Sequence, residues 1–194
     1  MTTRPERFRS TGSLVMGWLG LVLVGGVVAI GVLDRSSGLP LWAVFAALLF
    51  GVLLWASMVR PVVEAVGDDL VLRNMFDTVS VPLAAVEQVA IGQLLAVGTA
   101  DARYVSPAVG RSWRTTARRS RAEKAGKADD GTAYADHVEQ RLSQLAEDAR
   151  ARQGVRLMSE EQAVLAGQVR REVARVELAA LALAVLGLVV TALL

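Results

Sequence analysis

Cysteine is absent from the 194-residue sequence, and histidine occurs once, at His137. The first absence excludes disulfides, thiolate zinc sites, iron–sulfur clusters and cysteine nucleophiles. A lone histidine beside Asp136, on the polar side of an expected helix, is typical of a solvated side chain, and no serine–histidine–acid set has a plausible geometry. The phosphate-loop pattern G-x-x-x-x-G-K-[ST] is also missing. We therefore predict that the protein is not an enzyme, has no catalytic residues and binds neither a metal nor another cofactor.

Charge is missing from three long apolar runs, residues 14–33, 41–59 and 178–194. About 20 apolar residues at 1.5 Å each cover a hydrocarbon core of roughly 30 Å, so each run predicts a transmembrane helix, the third near the lower length limit. A short turn with Gly38 and Pro40 joins the first two runs into a hairpin. A cleaved signal peptide is the alternative for the first run, and a buried helix of a soluble core is the alternative for the third.

The orientation of these spans follows from the flanking lysines and arginines, which are enriched on the cytoplasmic side. Arginines precede the first run, close the second and precede the third, whereas the hairpin turn offers only Arg35. The flanking arginines are Arg4, Arg7, Arg9, Arg60, Arg170, Arg171 and Arg175. We predict a multi-pass protein of the cytoplasmic (inner) membrane of a prokaryotic-type cell, with its N-terminus inside and its C-terminus outside. Residues 1–13 are then a cytoplasmic tail, and residues 14–60 form a transmembrane hairpin.

The middle of the chain, residues 61–153, has the pattern of a small cytoplasmic domain. Valine-rich runs alternate with Gly/Asp turns such as Gly67-Asp68-Asp69, and they predict about five or six short strands in one antiparallel sheet over residues 61–107. Apolar residues at steps of three or four then predict an amphipathic helix that covers the sheet. Its apolar stripe consists of Tyr134, Val138, Leu142, Leu145 and Ala149. The predicted fold class is an α+β membrane protein.

Residues 154–194 are expected to form a further helix that leads into the third span. Gly154 ends the amphipathic helix, and Ser159 begins the next helix with Gln162 in the capping-box position. Because no proline or glycine pair interrupts Val169–Leu186, we expect this helix to run unbroken into the span at about residues 178–194.

A strongly basic segment, about residues 110–131, separates the expected strands from the amphipathic helix. The acidic residues of this segment are Glu123 and the Asp129-Asp130 pair, so its cations are in excess. Beside anionic headgroups each lysine or arginine contributes about 1 kcal/mol, and the indole of Trp113 favours the headgroup region. The candidate lipid- or partner-binding residues are Arg111, Trp113, Arg114, Arg118, Arg119, Arg121, Lys124 and Lys127. A solvated segment that only sets the topology is one alternative. A clamp for an acidic protein or a nucleic acid is another, although nucleic acid is not the expected partner.

Two stretches of the middle domain resemble a known family. They are RPVVEAVGDDLVLRNMFDTVSVPLAAVEQVAI, from Arg60, and RYVSPAVGRSWR, up to Arg114, while YADHVEQRLSQLA resembles the helix that follows such domains. The pattern is similar to the bacterial PH-like domains of small actinobacterial membrane proteins of the low-molecular-weight protein antigen type. The resemblance covers about half of the chain and implies a PH-like β domain and a membrane location, but no reaction. The third span and the long basic segment depart from the simplest family pattern.

Two functions are compatible with these features. The first is a non-enzymatic, membrane-anchored interaction module, whose PH-like domain binds a protein partner or an anionic lipid surface at the cytoplasmic face. The alternative is an accessory or structural subunit of a larger membrane complex, such as transport, respiratory or envelope-synthesis machinery. Such a subunit would co-purify with other membrane-protein subunits in mild detergent, whereas a lipid-binding module would purify alone and bind liposomes.

Overall fold

The computed structural model describes residues 5–34, 38–111 and 130–193, with the backbone alone for residues 130–133. The chain divides into two compact units. The first unit comprises Met1–Ser10, Val62–Asn74 and Thr78–Glu172, and the second comprises Thr11–Pro61, Met75–Asp77 and Val173–Leu194. Each unit is therefore assembled from segments that are far apart in sequence.

Three helices of the second unit are long and apolar enough to cross a membrane. Helix α1 is Thr11–Leu33, α2 is Leu41–Leu54 with a π-helical continuation over Trp55–Val59, and α5 is Arg175–Leu193. A helix satisfies every backbone donor and acceptor within its own segment, as a hydrocarbon environment demands. Helix α2 packs against both α1 and α5. The prediction of three helices with the length and apolar character of membrane spans is confirmed.

The first unit contains a five-stranded sheet in the order β1-β2-β3-β4-β8. The strands are Glu6–Phe8, Val62–Val66, Asp69–Arg73, Asp77–Pro82 and Arg170–Val173, and β1 to β4 pair antiparallel with their neighbours. Strand β1 precedes α1 and pairs with β2, which follows α2, so that Phe8 lies opposite Val63. Both edge strands of this sheet thus come from segments that adjoin the apolar helices in the chain.

A second, three-stranded sheet follows in the order β5-β6-β7. Its antiparallel strands are Gln88–Ile91, Leu95–Gly98 and Arg103–Ser106. The expectation of one sheet over residues 61–107 is wrong. The chain leaves the first sheet through a buried 3-10 turn, Leu83–Ala85. The next two strands, β5 and β6, then pair with each other, and β6 pairs with β7.

Helix α3, Asp130–Gln153, covers the core of the first unit. Val138 and Leu142 are fully buried and Leu145 partly so, as the stripe predicted. They share one core with side chains from both sheets, among them Leu70, Leu72, Val79, Val81, Ile91, Leu95 and Val97. Helix α3 contacts β5 and the 3-10 turn. At roughly 25 cal/mol per Å² of apolar surface, this burial is the main stabilising contribution to the unit.

The expectation of an unbroken helix into the third span is also wrong. Helix α4 ends at Ala166, residues 170–173 form β8, and α5 begins only at Arg175. Pairing of β8 beside β4 overrides the helical pattern, since tertiary contacts routinely outweigh local propensity. Likewise, residues 6–8 of the expected N-terminal tail are a strand of the sheet.

Gln162 fixes α4, Glu160–Ala166, onto the turn before β5. Its Nε2 donates to the carbonyls of Ala84 and Val86 at 3.1 and 3.3 Å, and its Oε1 accepts from the Met158 N–H at 2.7 Å. The Ser159 hydroxyl accepts from the Gln162 N–H, which is half of the predicted capping box. The side-chain amide of Gln162 does not complete the capping box but forms the three hydrogen bonds just described. Gln162 is buried.

Candidate functional site

The basic segment begins at Arg111, and the structure gives this side chain partners within the first unit. Its guanidinium donates to the Ile91 carbonyl and to the carboxylates of Asp136 and Glu139, the last at 3.3 Å. The side chain is only 18% exposed. Glu139 also accepts the Ile91 N–H at 3.1 Å, so the same carboxylate holds both the arginine and the end of β5. Arg111 is therefore an anchor of the segment's first residue to the domain.

The backbone beside Arg111 is held equally closely. The Arg111 N–H donates to the Gly92 carbonyl at 2.7 Å, in the turn between β5 and β6. Next to it, a Cβ on Gly110 would lie 2.1 Å from the Gln93 carbonyl oxygen. Such a separation is far below any van der Waals contact, so this approach of two backbone segments requires glycine. The chain consequently leaves β7 and reaches Arg111 along a defined path.

The other candidate binding residues lie outside the described residues. They are Trp113, Arg114, Arg118, Arg119, Arg121, Lys124 and Lys127. The structure gives the two ends between which they lie, the anchored Arg111 and the start of α3 at Asp130. It thus separates the eight candidates into one residue with internal partners and seven whose binding role stays a prediction.

Several charges of the first unit are paired with one another. Glu64 on β2 is buried, with 5% of its surface exposed, between Arg7 of β1 at 2.9 Å and Arg73 of β3 at 3.4 Å. Two cations around one carboxylate offset the cost of removing its charge from water. A glutamate within the valine-rich VVEAV run is the sequence signal for this cluster, but hydrophobic periodicity alone does not predict its two arginine partners.

The Gly67-Asp68-Asp69 turn is confirmed, because β2 ends at Val66 and β3 begins at Asp69. Asp68 pairs with Arg152 at 3.0 Å, and Asp69 pairs with Arg170 at 3.3 Å. These two carboxylates therefore connect the turn to α3 and to β8. Neither resembles a general acid or base, since each is a partly exposed carboxylate facing a guanidinium.

Helix α3 is also tied to the N-terminal strand. Arg141 donates to both carboxylate oxygens of Glu6, at 3.0 and 2.5 Å. These hydrogen bonds, and the arginine's charge, lower the pKa of the Glu6 carboxyl below its usual value, against a smaller opposing effect of burial. The Tyr134 hydroxyl meanwhile bonds the Arg9 backbone at 3.2 Å. The residues next to α1 in the chain are thus integral to the domain.

Among the described residues, no group of three or more histidine, aspartate or glutamate side chains is arranged to hold a metal ion. His137 lies exposed on α3, in the position expected of a solvated histidine. Comparisons of the chain with protein-family models, with curated proteins and with solved structures gave no match.

Proposed function

We propose that the protein is a non-enzymatic, membrane-anchored interaction module of the cytoplasmic membrane. Its three apolar helices anchor a PH-like domain at the cytoplasmic face, and the basic segment that starts at Arg111 lies against an anionic lipid surface. The observation that carries this proposal is the pairing of β1 with β2 across the hairpin of α1 and α2.

That pairing has a topological consequence for a chain whose apolar helices cross a bilayer. Strand β1 ends at Phe8, two residues before α1, and β2 begins at Val62, directly after Pro61. Because the two strands share a sheet, both ends of the hairpin must lie on one side of the membrane. Strand β8 belongs to the same sheet and ends one residue before α5. The domain is thus tethered by three short connections, and the flanking arginines favour the cytoplasmic side.

The arrangement of strands supports the PH-like part of the proposal. Strands β1 to β4 form one antiparallel sheet, β5 to β7 form another, and α3 packs over a core shared by both. The additional strand β8 and the helical hairpin between β1 and β2 are departures from a simple domain of this kind.

The charge balance of the basic segment suits an anionic lipid surface. Arg111 is neutralised by Asp136 and Glu139, whereas Glu123 is the only acidic residue between Arg111 and Asp129 in sequence. Six cations follow Arg111 in this segment: Arg114, Arg118, Arg119, Arg121, Lys124 and Lys127. Each is worth about 1 kcal/mol at an anionic surface, and the attraction decays over about 8 Å at physiological salt.

The absence of cysteine permits a direct test with the full-length protein. The variant Ala125→Cys carries a single thiol in the basic segment, and Ala100→Cys carries one in the exposed turn between β6 and β7. Each is labelled with an environment-sensitive fluorophore and reconstituted into nanodiscs of phosphatidylcholine with or without phosphatidylglycerol. We expect the label at residue 125, but not at residue 100, to shift towards an apolar environment only with phosphatidylglycerol. The shift should disappear at high salt.

Replacement of Arg118, Arg119, Arg121 and Lys124 by glutamine should abolish the shift while leaving the helical content unchanged. A label at residue 125 that ignores the lipid composition would contradict the lipid contact. A salt-resistant shift in both lipids would instead indicate contact with protein.

The orientation is tested separately in intact cells. A membrane-impermeant maleimide should label Ser36→Cys and should not label Ala125→Cys until the membrane is opened. The reverse result would overturn the cytoplasmic placement of the domain.

A further inference from the structure

The first sheet has one face in the core of the domain and one face outside it. Val63 of β2 and Leu72 of β3 lie opposite each other and are fully buried in the core. Side chains alternate between the two faces along a strand, so the next residues, Glu64 and Arg73, point to the outer face. Arg7 of β1 lies opposite Glu64 in the register of the strand pair and therefore shares that face.

The Glu64 carboxylate is shared by two arginines of the outer face. Its Oε1 lies 2.9 Å from the Nε of Arg7, and its Oε2 lies 3.4 Å from the Nη2 of Arg73. These arginines come from the two strands that flank β2, so side chains from both neighbours converge above the middle strand. The Arg7 and Arg73 side chains are still 67% and 50% exposed, so both guanidinium groups remain accessible from solvent.

Arg9 adds a third guanidinium to this face. It follows β1 directly, two residues after Arg7, and alternate residues of an extended segment point the same way. Its backbone is held by the Tyr134 hydroxyl, which accepts from the Arg9 N–H and donates to the Arg9 carbonyl, each at 3.2 Å. In the part of the chain that the structure describes, the Nε and Nη2 atoms of Arg9 are buried without a hydrogen-bond partner. Such unpaired donors are costly, above all when they are charged, so an acceptor that satisfies them would stabilise the domain.

The outer face carries more positive than negative charge at this end. Arg7, Arg9 and Arg73 form an arginine cluster that meets the single carboxylate of Glu64 on this face of β1 to β3, which leaves two positive charges. Asp69, at the other end of β3, is already paired with an arginine of β8 at 3.3 Å. It therefore does not change the charge balance of the arginine cluster.

The strand register indicates where a further anion would lie. Val62 of β2 lies opposite Arg73, and extending the β1–β2 register by one residue places Arg9 on the other side of Val62. Arg9, Val62 and Arg73 thus form one row across three strands, next to the row of Glu64. An anion above Val62 would receive donors from both sides, as the Glu64 carboxylate does one row away.

We propose that the arginine cluster binds a phosphate monoester, with Arg9 and Arg73 as the main donors. A phosphate monoester carries a charge of about −1.5 to −2 at pH 7, which matches the surplus of the cluster. A phosphodiester or a carboxylate carries only one negative charge. Guanidinium groups also present paired N–H donors in one plane, and this geometry suits phosphate oxygens better than the point charge of a lysine does.

The phosphate can come from a lipid or from a soluble ester, which share this chemistry. Arg9 precedes α1 by two residues in the chain, so the headgroup of phosphatidic acid is one source if the apolar helices lie in a bilayer. A soluble phosphate ester is the other source. The inference is independent of the basic segment, whose attraction to lipid requires no arginine of this face.

The test follows thermal unfolding of the full-length protein in detergent, because a ligand of the folded state raises the unfolding temperature with its concentration. Sodium phosphate is titrated against sodium chloride at constant ionic strength. In a parallel series the micelles contain phosphatidic acid or, as the diester control, phosphatidylglycerol. We expect phosphate or phosphatidic acid to stabilise the protein beyond chloride and phosphatidylglycerol. A phosphate response that disappears when phosphatidic acid is present assigns the site to the lipid, and a response to phosphate alone assigns it to a soluble ester.

Two variants and a control of matched charge locate the site. Arg9→Gln should raise the ligand concentration for half-maximal stabilisation about tenfold, because it removes the unpaired charged donors but keeps the backbone contacts to Tyr134. Arg103→Gln removes the same charge from an exposed position of β7 and should leave that concentration unchanged. Glu64→Gln should lower it, because the carboxylate that competes for the other two arginines is gone.

The proposal is overturned if neither phosphate nor phosphatidic acid stabilises the protein beyond its control, or if Arg9→Gln and Arg103→Gln respond alike. An unchanged or weakened response in Glu64→Gln would show that the arginines serve only to neutralise that carboxylate. A basic segment that ignores anionic lipid would affect none of these comparisons.

Discussion

The guanidinium Nε of Arg60 lies 2.6 Å from the Oε1 of Glu177, and both side chains are only 12% exposed. Arg60 follows the π-helical end of α2, and Glu177 lies in the first turn of α5. The Arg60 Nη1 also donates to the Asp77 carbonyl at 3.2 Å. This ion pair joins the third apolar helix, α5, to the end of the hairpin formed by α1 and α2. Its two residues are 117 positions apart in the chain.

Removal of one partner should weaken that junction. Glu177→Ala leaves the Arg60 charge without its carboxylate, and we expect a loss of about 2 kcal/mol, between the values for exposed and for fully buried ion pairs. Thermal unfolding of the full-length protein in detergent measures the effect. Glu161→Ala, at an exposed position of α4, serves as the control. Equal unfolding temperatures for the two variants would show that the ion pair contributes nothing.

The anchor of the basic segment can be loosened at Gly110. A Cβ at this position would lie 2.1 Å from the Gln93 carbonyl oxygen, so Gly110→Ala must displace the turn between β5 and β6. Overpacking of this kind costs about 1–3 kcal/mol. Hydrogen exchange should show faster exchange of the Arg111 amide, which bonds the Gly92 carbonyl. Gly92→Ala is the control, because a Cβ there would meet nothing within 4 Å; similar effects of both changes would contradict the steric argument.

Gln162 should be intolerant of substitution. Gln162→Ala removes the donor to Ala84 and Val86 and the acceptor of the Met158 N–H. Unsatisfied buried polar groups cost about 1–3 kcal/mol, so the unfolding free energy should fall by a similar amount. Gln168→Ala, in an exposed position after α4, should be nearly neutral. If urea denaturation gave the same midpoint for both variants, α4 would not depend on this side chain.

The contact between Glu6 and Arg141 should depend on pH. The hydrogen bonds from Arg141 lower the pKa of the Glu6 carboxyl in the folded protein. The pair therefore stabilises the fold above the unfolded pKa of about 4.3, and this stability is lost as the pH falls through the lower folded pKa. With the two side chains 39% and 37% exposed, we expect less than about 1 kcal/mol.

Hydrogen exchange of residues 6–8 measures that difference between the wild type and Glu6→Gln. The wild type should be better protected at pH 7, and the two proteins should converge as the pH falls through the lowered pKa of the folded Glu6 carboxyl. A difference that does not shrink as the pH falls would assign the effect to the shape of the side chain and not to its charge.

The apolar helices could be predicted closely because their signal is local. The length and the boundaries of a charge-free run can be read directly from the sequence. Helices α1 and α5 begin at Thr11 and Arg175, only three residues before the predicted runs. The stripe of α3 was equally informative, because Val138 and Leu142 recur at helical spacing and both are buried. Periodicity reports which face of an element is buried, whatever covers it.

The two edge strands could not be predicted from local patterns. Strand β1 has three residues, Glu6–Phe8, without an apolar alternation, and its partner strand follows more than 50 residues later. Strand β8 consists of Arg170–Val173, all exposed, in a stretch that favours a helix on its own. Their strand conformation depends on tertiary pairing. The internal partners of Arg111 escaped prediction for the same reason, since Asp136 and Glu139 lie on another element.

The strand pair β1–β2 also sets an order of events during synthesis. The residue number rises by 54 from Phe8 to Val62, and a ribosome adds about 5–20 residues per second, so β1 waits roughly 3–11 s for its partner. Both apolar helices of the hairpin emerge in that interval. A nascent chain that fails to bring both hairpin ends to the same compartment cannot place Phe8 opposite Val63. Completion of the sheet therefore requires correct insertion of the hairpin.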